Sequence, residues 1–198
     1  MLQDIFNPTR VTAQVGGKEV IFECGRLANQ AHGAVWMQCG GTVVLVTVCS
    51  QPLEFDKGFF PLTVEYSEKM YAAGRIPGSF FRREIGRPSE RETLVSRLID
   101  RPMRPLFDDE LRNDVVVTCT VMSVDRDCSP EAAAMVGVSA CLAVSNIPWG
   151  GPIGCLEVGY VDGQIVMNPN QAQKHASKLD LTVAATGAKV VMLSLIHI

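Results

Sequence analysis

The sequence predicts a compact α+β domain in which mixed β-sheets pack on buried helices. Three observations support this: several runs rich in β-branched residues, two segments with helix signals, and no strict alternation between them. Of the 198 residues, 47% are hydrophobic and 20% are charged, as in packed globular proteins rather than disordered ones. The length suffices for one sizeable domain or two small ones.

Eight segments have the composition of β-strands. The predicted strands are residues 19–24, 42–48, 62–66, 115–124, 156–161, 165–168, 181–185 and 189–193. The pairs Gly16-Gly17 and Asp162-Gly163 stand beside such runs, and these residue types favour tight hairpin turns.

The first predicted helix follows a capping signal. Ser89 with Glu92 three residues later forms the pattern of a capping box. Pro102 predicts that this helix ends near Arg101, because proline lacks the backbone N–H that would continue it.

The second predicted helix begins after Ser129, a favoured N-cap residue, with Pro130 at its first position. It runs to about Asn146. Its residues are apolar or small on nearly every side, so we expect it to be deeply buried.

Cysteine usage and hydropathy indicate a cytoplasmic protein without a membrane segment. The seven cysteines are scattered, odd in number and never form CxxC, which favours buried reduced thiols over a zinc site or a disulfide framework. No apolar run approaches the ~18–20 residues that span a bilayer. The N-terminus lacks the layout of a secretory signal.

Common catalytic motifs do not identify a reaction. The sequence has no Walker A loop, GxSxG elbow, HExxH or GxGxxG motif. Asp125, Arg126 and Asp127 could hold an anion or a metal, but a charged turn at a strand end is the favoured interpretation. Motifs alone therefore predict no catalytic centre.

The segment from Arg75 to Arg104 has an unusual charge composition. It holds eight arginines, four acidic residues and no lysine, within a chain whose net charge is −3. Arginine without lysine favours a phosphate-bearing partner, and a helix laced with salt bridges is the alternative.

A glycine-flanked loop within this segment contains Phe80, Phe81, Arg82 and Arg83. The phenylalanine rings could stack on unpaired bases while the arginines bind adjoining phosphates. Alternatively, the phenylalanines fill the core of a hairpin and the arginines bind local carbonyls. Composition leaves both interpretations open.

Three long segments carry a family resemblance. They are FFPLTVEYSEKMYAAGRIPGSFFRRE, GRPSERETLVSRLIDRPMRPLF and IPWGGPIGCLEVGYVDGQIVMNP. In order and spacing they resemble the first RNase PH-type core of bacterial polynucleotide phosphorylase (polyribonucleotide nucleotidyltransferase). The resemblance covers residues 1–192, which we expect to form that domain, with residues 193–198 as a non-native tail or truncation scar.

The resemblance implies a function. Members of this family are Mg²⁺-dependent homotrimeric rings of the cytoplasm that degrade single-stranded mRNA from the 3′ end with inorganic phosphate and release nucleoside diphosphates. The motif Phe80, Phe81, Arg82 and Arg83 matches the loop that contacts RNA in the family's channel. Further basic positions implied to contact RNA or support activity are Arg97, Arg101 and Arg104.

Two departures imply that this core lacks the catalytic and metal residues, which the family carries in a second core. At Ser129 to Glu131, one hydroxyl, a proline and a carboxylate replace a serine-rich phosphate loop. Asp180 remains as a single carboxylate near Lys174 and Lys178, where the second core of the family has paired aspartates. We therefore expect an inactive fragment that supplies RNA contacts and ring packing. The alternatives are a non-catalytic RNA-binding ring subunit and a self-sufficient exoribonuclease.

Overall fold

The computed structural model describes residues 7–55, 58–78 and 86–197 of the chain. Ten strands form two sheets in this part of the chain. They are β1 (Thr9–Val15), β2 (Lys18–Cys24), β3 (Gly33–Cys39), β4 (Thr42–Pro52), β5 (Leu62–Glu68), β6 (Asn113–Ser123), β7 (Gly154–Val161), β8 (Gln164–Met167), β9 (Asp180–Ala185) and β10 (Val190–His197).

The larger sheet is mixed, as the sequence predicts. Its order is β1-β2-β3-β4-β6-β5, and only the β5–β6 pair within it is parallel. The smaller sheet is antiparallel, with the order β10-β9-β7-β8. Two helices, α1 (Glu90–Met103) and α2 (Pro130–Val144), pack on these sheets, and a third, α3 (Gln171–Ala176), joins β8 to β9.

The capping box predicted for α1 is confirmed. The Ser89 backbone N–H donates to Glu92 Oε2 at 2.7 Å, and the Glu92 N–H donates to Ser89 Oγ at 3.2 Å. The helix runs two residues beyond the predicted end at Arg101 and includes Pro102. Burial of Pro102 and Met103 in the core explains this extension, because it offsets the missing backbone hydrogen bond.

Helix α2 occupies the centre of the molecule, and the prediction of its deep burial is confirmed. It packs against β3 and β4 of the larger sheet and against β7 of the smaller one. A Cβ atom at Gly137 would lie 3.0 Å from Val46 Cγ2, so glycine lets helix and sheet approach closely. The helix ends at Val144 rather than near Asn146, because Ser145 turns the chain and donates its hydroxyl to the Leu142 carbonyl at 2.8 Å.

Two strands were not predicted from the sequence. Every residue of β1 is exposed, so the strand lacks the buried alternating face on which a prediction depends. Strand β3 begins with Gly33 and Ala34, which have low β-propensity, and is held by pairing with β2 and β4 on both sides. Both predicted hairpin turns are confirmed, with positive φ at Gly16, Gly17, Asp162 and Gly163.

Strand β10 continues past the predicted end at Leu193. Leu193 pairs with Val183, Leu195 pairs with Leu181, and His197 pairs with Asp180. The register shifts between Leu195 and His197, and the pairing continues across this irregularity, so residues up to His197 belong to the smaller sheet. The proposed origin of residues 193–198 stays a prediction.

Candidate functional site

A cleft of about 640 Å³ opens between α1 and the smaller sheet. Helix α1 contributes Arg91, Arg97 and Arg101 to its lining. The other side includes Lys174 of α3 and Asp180 at the start of β9. The cleft is therefore positively charged along the helix and mixed in charge along the sheet.

Arg97 and Arg101 are exposed and four residues apart, so their side chains share one side of α1. Neither guanidinium forms an ion pair with any residue that the structure describes. Both can therefore present all their N–H donors to a bound anion, and a guanidinium matches the geometry of a phosphate.

Arg104 is placed differently. Its guanidinium donates to both carboxylate oxygens of Asp100, at 2.6 and 3.1 Å. It also donates to the backbone carbonyls of Phe60 and Leu62, at 3.1 Å each. These bonds fasten the end of α1 to the start of the edge strand β5, which makes Arg104 a support for the fold around the cleft.

The N-terminus of α2 forms one end of the cleft and carries its own carboxylate. Glu131 Oε2 accepts a hydrogen bond from Ser129 Oγ at 2.7 Å, and Glu131 Oε1 lies 2.6 Å from Arg91 Nη2. The neighbouring Glu131 carboxylate raises the pKa of Arg91 above its usual value. Arg91 offsets part of this charge, but it also pairs with Glu68, so the three side chains together keep a net negative charge that disfavours an approaching anion.

Arg91 links this carboxylate to the larger sheet. Its Nε lies 3.4 Å from Glu68 Oε1 of β5, which accepts a hydrogen bond from Tyr66 Oη at 2.9 Å. Burial of the phenol, with Glu68 beside it, raises the pKa of Tyr66 above its ordinary range. Arg91 thus serves the internal network, and sequence reasoning missed this because its partners lie on distant segments.

The acidic residues of the cleft do not fit a Mg²⁺ ion. The Lys174 ammonium lies 2.5 Å from Glu157 Oε2 and neutralises that carboxylate, and Glu131 pairs with Arg91. Among the described residues that line the cleft, Asp180 therefore has no free acidic partner for a metal ion. Within residues 7–55, 58–78 and 86–197, no group of three or more His, Cys, Asp or Glu side chains could hold a metal ion.

The predicted charged turn at Asp125 is confirmed. Its Oδ2 accepts from the Gly41 N–H at 3.0 Å and its Oδ1 accepts from the Asp127 N–H at 3.1 Å. These backbone donors lower the pKa of Asp125.

Phe80, Phe81, Arg82 and Arg83 lie outside the described residues. The flanking residues Gly86 and Pro88 line a second cleft, of about 650 Å³, between β5 and α1. Arg97 lines both clefts, and Arg104 lines only the second. Gly86 and Pro88, which follow the predicted RNA-contacting loop in the sequence, therefore line the same cleft as Arg97.

No helix in the described part of the chain is both long and apolar enough to cross a membrane.

Comparisons with known proteins give consistent matches. Residues 16–148 match the model of the 3′ exoribonuclease family, domain 1, and residues 151–195 match that of domain 2. The boundary between the two matches falls between α2 and β7. Both models describe the RNase PH type of fold that the sequence predicts.

Relatives among curated proteins are much longer than this chain. The polyribonucleotide nucleotidyltransferase of Desulfovibrio desulfuricans is 65% identical over 192 residues, which are 97% of this chain and 26% of that protein. The polyribonucleotide nucleotidyltransferase of Lawsonia intracellularis is 58% identical over 185 residues, covering 93% of this chain and 25% of that protein. The chain thus spans about a quarter of the length of these relatives.

Among solved structures, rice Rrp46 superposes with a TM-score of 0.69 over 96% of this chain and 81% of that one. The two sequences are only 14% identical, so this similarity concerns the fold alone.

Proposed function

Because the chain belongs to the 3′ exoribonuclease family, we propose that it forms the RNA-handling first core of a polyribonucleotide nucleotidyltransferase. The proposed reaction of the whole enzyme is 3′→5′ phosphorolysis of single-stranded RNA during mRNA degradation, with release of nucleoside diphosphates. We further propose that the enzyme works in the cytoplasm as a homotrimeric ring. The observation that supports the role of this core is the pair Arg97 and Arg101 in the α1 cleft, neither of which forms an ion pair with a described residue.

Single-stranded RNA fits this surface for two reasons. Arginines without a protein carboxylate can bind backbone phosphates whatever the base sequence. The adjoining loop supplies Phe80 and Phe81, whose rings can stack on bases, and Arg82 and Arg83, which add two more cations. Together these residues provide contacts that hold a strand and tolerate any sequence.

The chemistry itself is proposed to lie outside this chain. Glu131 opposes phosphate at the N-terminus of α2, and Lys174 neutralises Glu157 beside Asp180. Neither place offers the charge that inorganic phosphate or Mg²⁺ requires. We propose that the phosphate and Mg²⁺ sites belong to a second core of the longer enzyme.

Replacing Arg97 and Arg101 together with alanine is expected to weaken RNA binding about tenfold or more, because two phosphate contacts are lost. Fluorescence anisotropy of a labelled single-stranded oligoribonucleotide measures the change. The slope of log affinity against log salt should become shallower by about 1.4, since each lost contact to a single strand removes roughly 0.7.

A double variant of Arg10 and Arg26, exposed arginines outside both clefts, removes the same charge and should bind nearly as the wild type does. The Arg82→Ala and Arg83→Ala pair should also lose affinity. If the Arg97/Arg101 variant bound RNA as tightly as the Arg10/Arg26 control variant, the proposed role of the α1 cleft in RNA binding would be refuted.

The purified chain is expected to release no nucleoside diphosphates from RNA in the presence of inorganic phosphate and Mg²⁺, because its described residues lack both sites. Thin-layer chromatography of end-labelled and uniformly labelled RNA detects such products. Their robust formation would instead identify a self-sufficient exoribonuclease. Salt-sensitive RNA binding without products fits both the first core of a longer enzyme and a non-catalytic ring subunit.

A further inference from the structure

The β3–β4 turn is fastened to the turn that precedes α2. The Asp125 N–H donates to Thr42 Oγ1 at 2.8 Å, and Thr42 Oγ1 donates to the Cys128 carbonyl at 2.8 Å. Asp125 Oδ2 also accepts from the Gly41 N–H. Thr42 is fully buried, so these bonds hold two distant parts of the sequence in a fixed arrangement.

Two thiols meet at this junction. Cys39 ends β3 and is half-buried, whereas Cys128 lies directly before the N-cap Ser129 and is 5% exposed. Their sulfur atoms are 3.6 Å apart, and a disulfide bond requires about 2.0 Å. A Cβ atom at Gly40 would lie 2.9 Å from Cys128 Sγ, so the glycine leaves the space that this sulfur occupies.

We propose that Cys39 and Cys128 form a reversible intramolecular disulfide that ties the end of β3 to the start of α2. The fixed turns hold the sulfurs near bonding distance, so closure needs only a small side-chain movement. Cys128 directly precedes Ser129, whose hydroxyl bonds to Glu131 at the end of the α1 cleft, whereas the two cysteines themselves line a separate cavity.

The oxidant would be a low-molecular-weight disulfide such as oxidised glutathione. The Cys39 thiolate attacks one sulfur of that disulfide, which forms a mixed disulfide and releases one thiol. Cys128 then gives its proton to solvent and attacks Cys39 Sγ, which releases the second thiol. The two protein thiols lose two electrons, and the added disulfide gains them.

The surroundings favour Cys39 as the first thiol to react. Burial, together with the neighbouring Cys39, raises the pKa of Cys128 to about 12, so its thiolate is scarce at neutral pH. Cys39 is also more accessible to a small oxidant. Cys39 and Cys128 line a narrow cavity of about 120 Å³, and Cys155 lines it as well. Cys155 is therefore the other thiol that could attack the mixed disulfide at Cys39.

The test treats the folded 198-residue chain with oxidised glutathione at about pH 8, where part of an ordinary thiol is ionised. Intact mass should fall by two hydrogen atoms, and fragmentation of the linked peptides should join Cys39 to Cys128. The thermal midpoint should rise by about 5 °C or more, because the cross-link closes a long loop of the unfolded chain. Dithiothreitol should reverse both changes.

Variants separate this pair from the other thiols. Cys49→Ser removes an exposed cysteine and should leave the cross-link intact. Cys39→Ser should abolish both the cross-link and the rise in thermal midpoint. Wild-type chain that carries only glutathione adducts, or that joins Cys39 to Cys155, would overturn the proposal.

Discussion

Raising the pH from about 8 to about 11 is expected to unfold the protein steeply, because buried groups of the folded chain resist losing their protons. Burial raises the pKa of Cys119, and it raises that of Cys141 to about 12. Burial and Glu68 likewise raise the pKa of Tyr66. All three side chains are at most 3% exposed.

The sign follows from proton binding in the two states. Below about pH 8 both states hold these protons, so the free energy of unfolding is insensitive to these groups. Above about pH 9 for the thiols, and about pH 10 for tyrosine, the unfolded chain loses protons that the folded chain keeps. Each such group then lowers the free energy of unfolding by roughly 1.4 kcal/mol per pH unit.

The three groups alone should give a slope of roughly 4 kcal/mol per pH unit near pH 11, against a typical total stability of about 5–15 kcal/mol. Cys128 and Cys155, whose pKa values burial also raises, should steepen this slope further. Urea unfolding followed by circular dichroism in the presence of a phosphine reductant measures this slope. Cys141→Ala should reduce it by about 1.4 kcal/mol per pH unit, whereas Cys49→Ala, at an exposed position, should not. A free energy of unfolding that stays constant up to about pH 11 would contradict this account.

The variant Gly33→Ala is expected to lower the free energy of unfolding by about 3 kcal/mol, as overpacking of a core does. A Cβ atom at Gly33 would lie 2.8 Å from the Cys141 carbonyl oxygen and 3.0 Å from Val48 Cγ1. The carbonyl belongs to the backbone of α2, so relief requires the whole helix to move away from β3.

Gly187 offers a matched control for that variant. A Cβ atom there would meet no atom within 4 Å, and Gly187 does not have positive φ. Gly187→Ala should therefore change the free energy of unfolding by less than about 1 kcal/mol. Urea denaturation with unchanged m-values would show that both comparisons concern stability. Equal stability of the Gly33 and Gly187 variants would exclude close contact between α2 and β3.

Local signals predicted much of the fold. The capping box at Ser89 and the N-cap Ser129 followed by Pro130 located the starts of both long helices, because these signals arise within one turn of helix. Strand β1 was missed because it is exposed throughout, and α3 because six residues hold too few turns for a periodic pattern. Sheet order depends on pairing between distant segments, which periodicity does not encode.

The candidate site shows the same division. The family resemblance named Arg97 and Arg101, and their spacing of four residues on α1 puts them on one side of the helix. The hydrogen bonds of Arg104 depend on carbonyls more than 40 residues earlier, and the pairing of Arg91 with Glu131 depends on the packing of α1 beside α2. Short stretches of sequence therefore identified the arginines of the site. They did not show that Arg91 and Arg104 are already bonded to other parts of the protein.

The strand order has a consequence during synthesis on the ribosome. Strand β4 carries the buried valines Val44, Val46 and Val48, yet its second neighbour is β6 rather than β5. Between the emergence of Pro52 and that of Ser123, one edge of this apolar strand has no partner within the chain. At typical translation rates this interval lasts roughly 4 to 14 seconds. The nascent chain is therefore most vulnerable to intermolecular strand pairing at β4, before its middle third has left the exit tunnel.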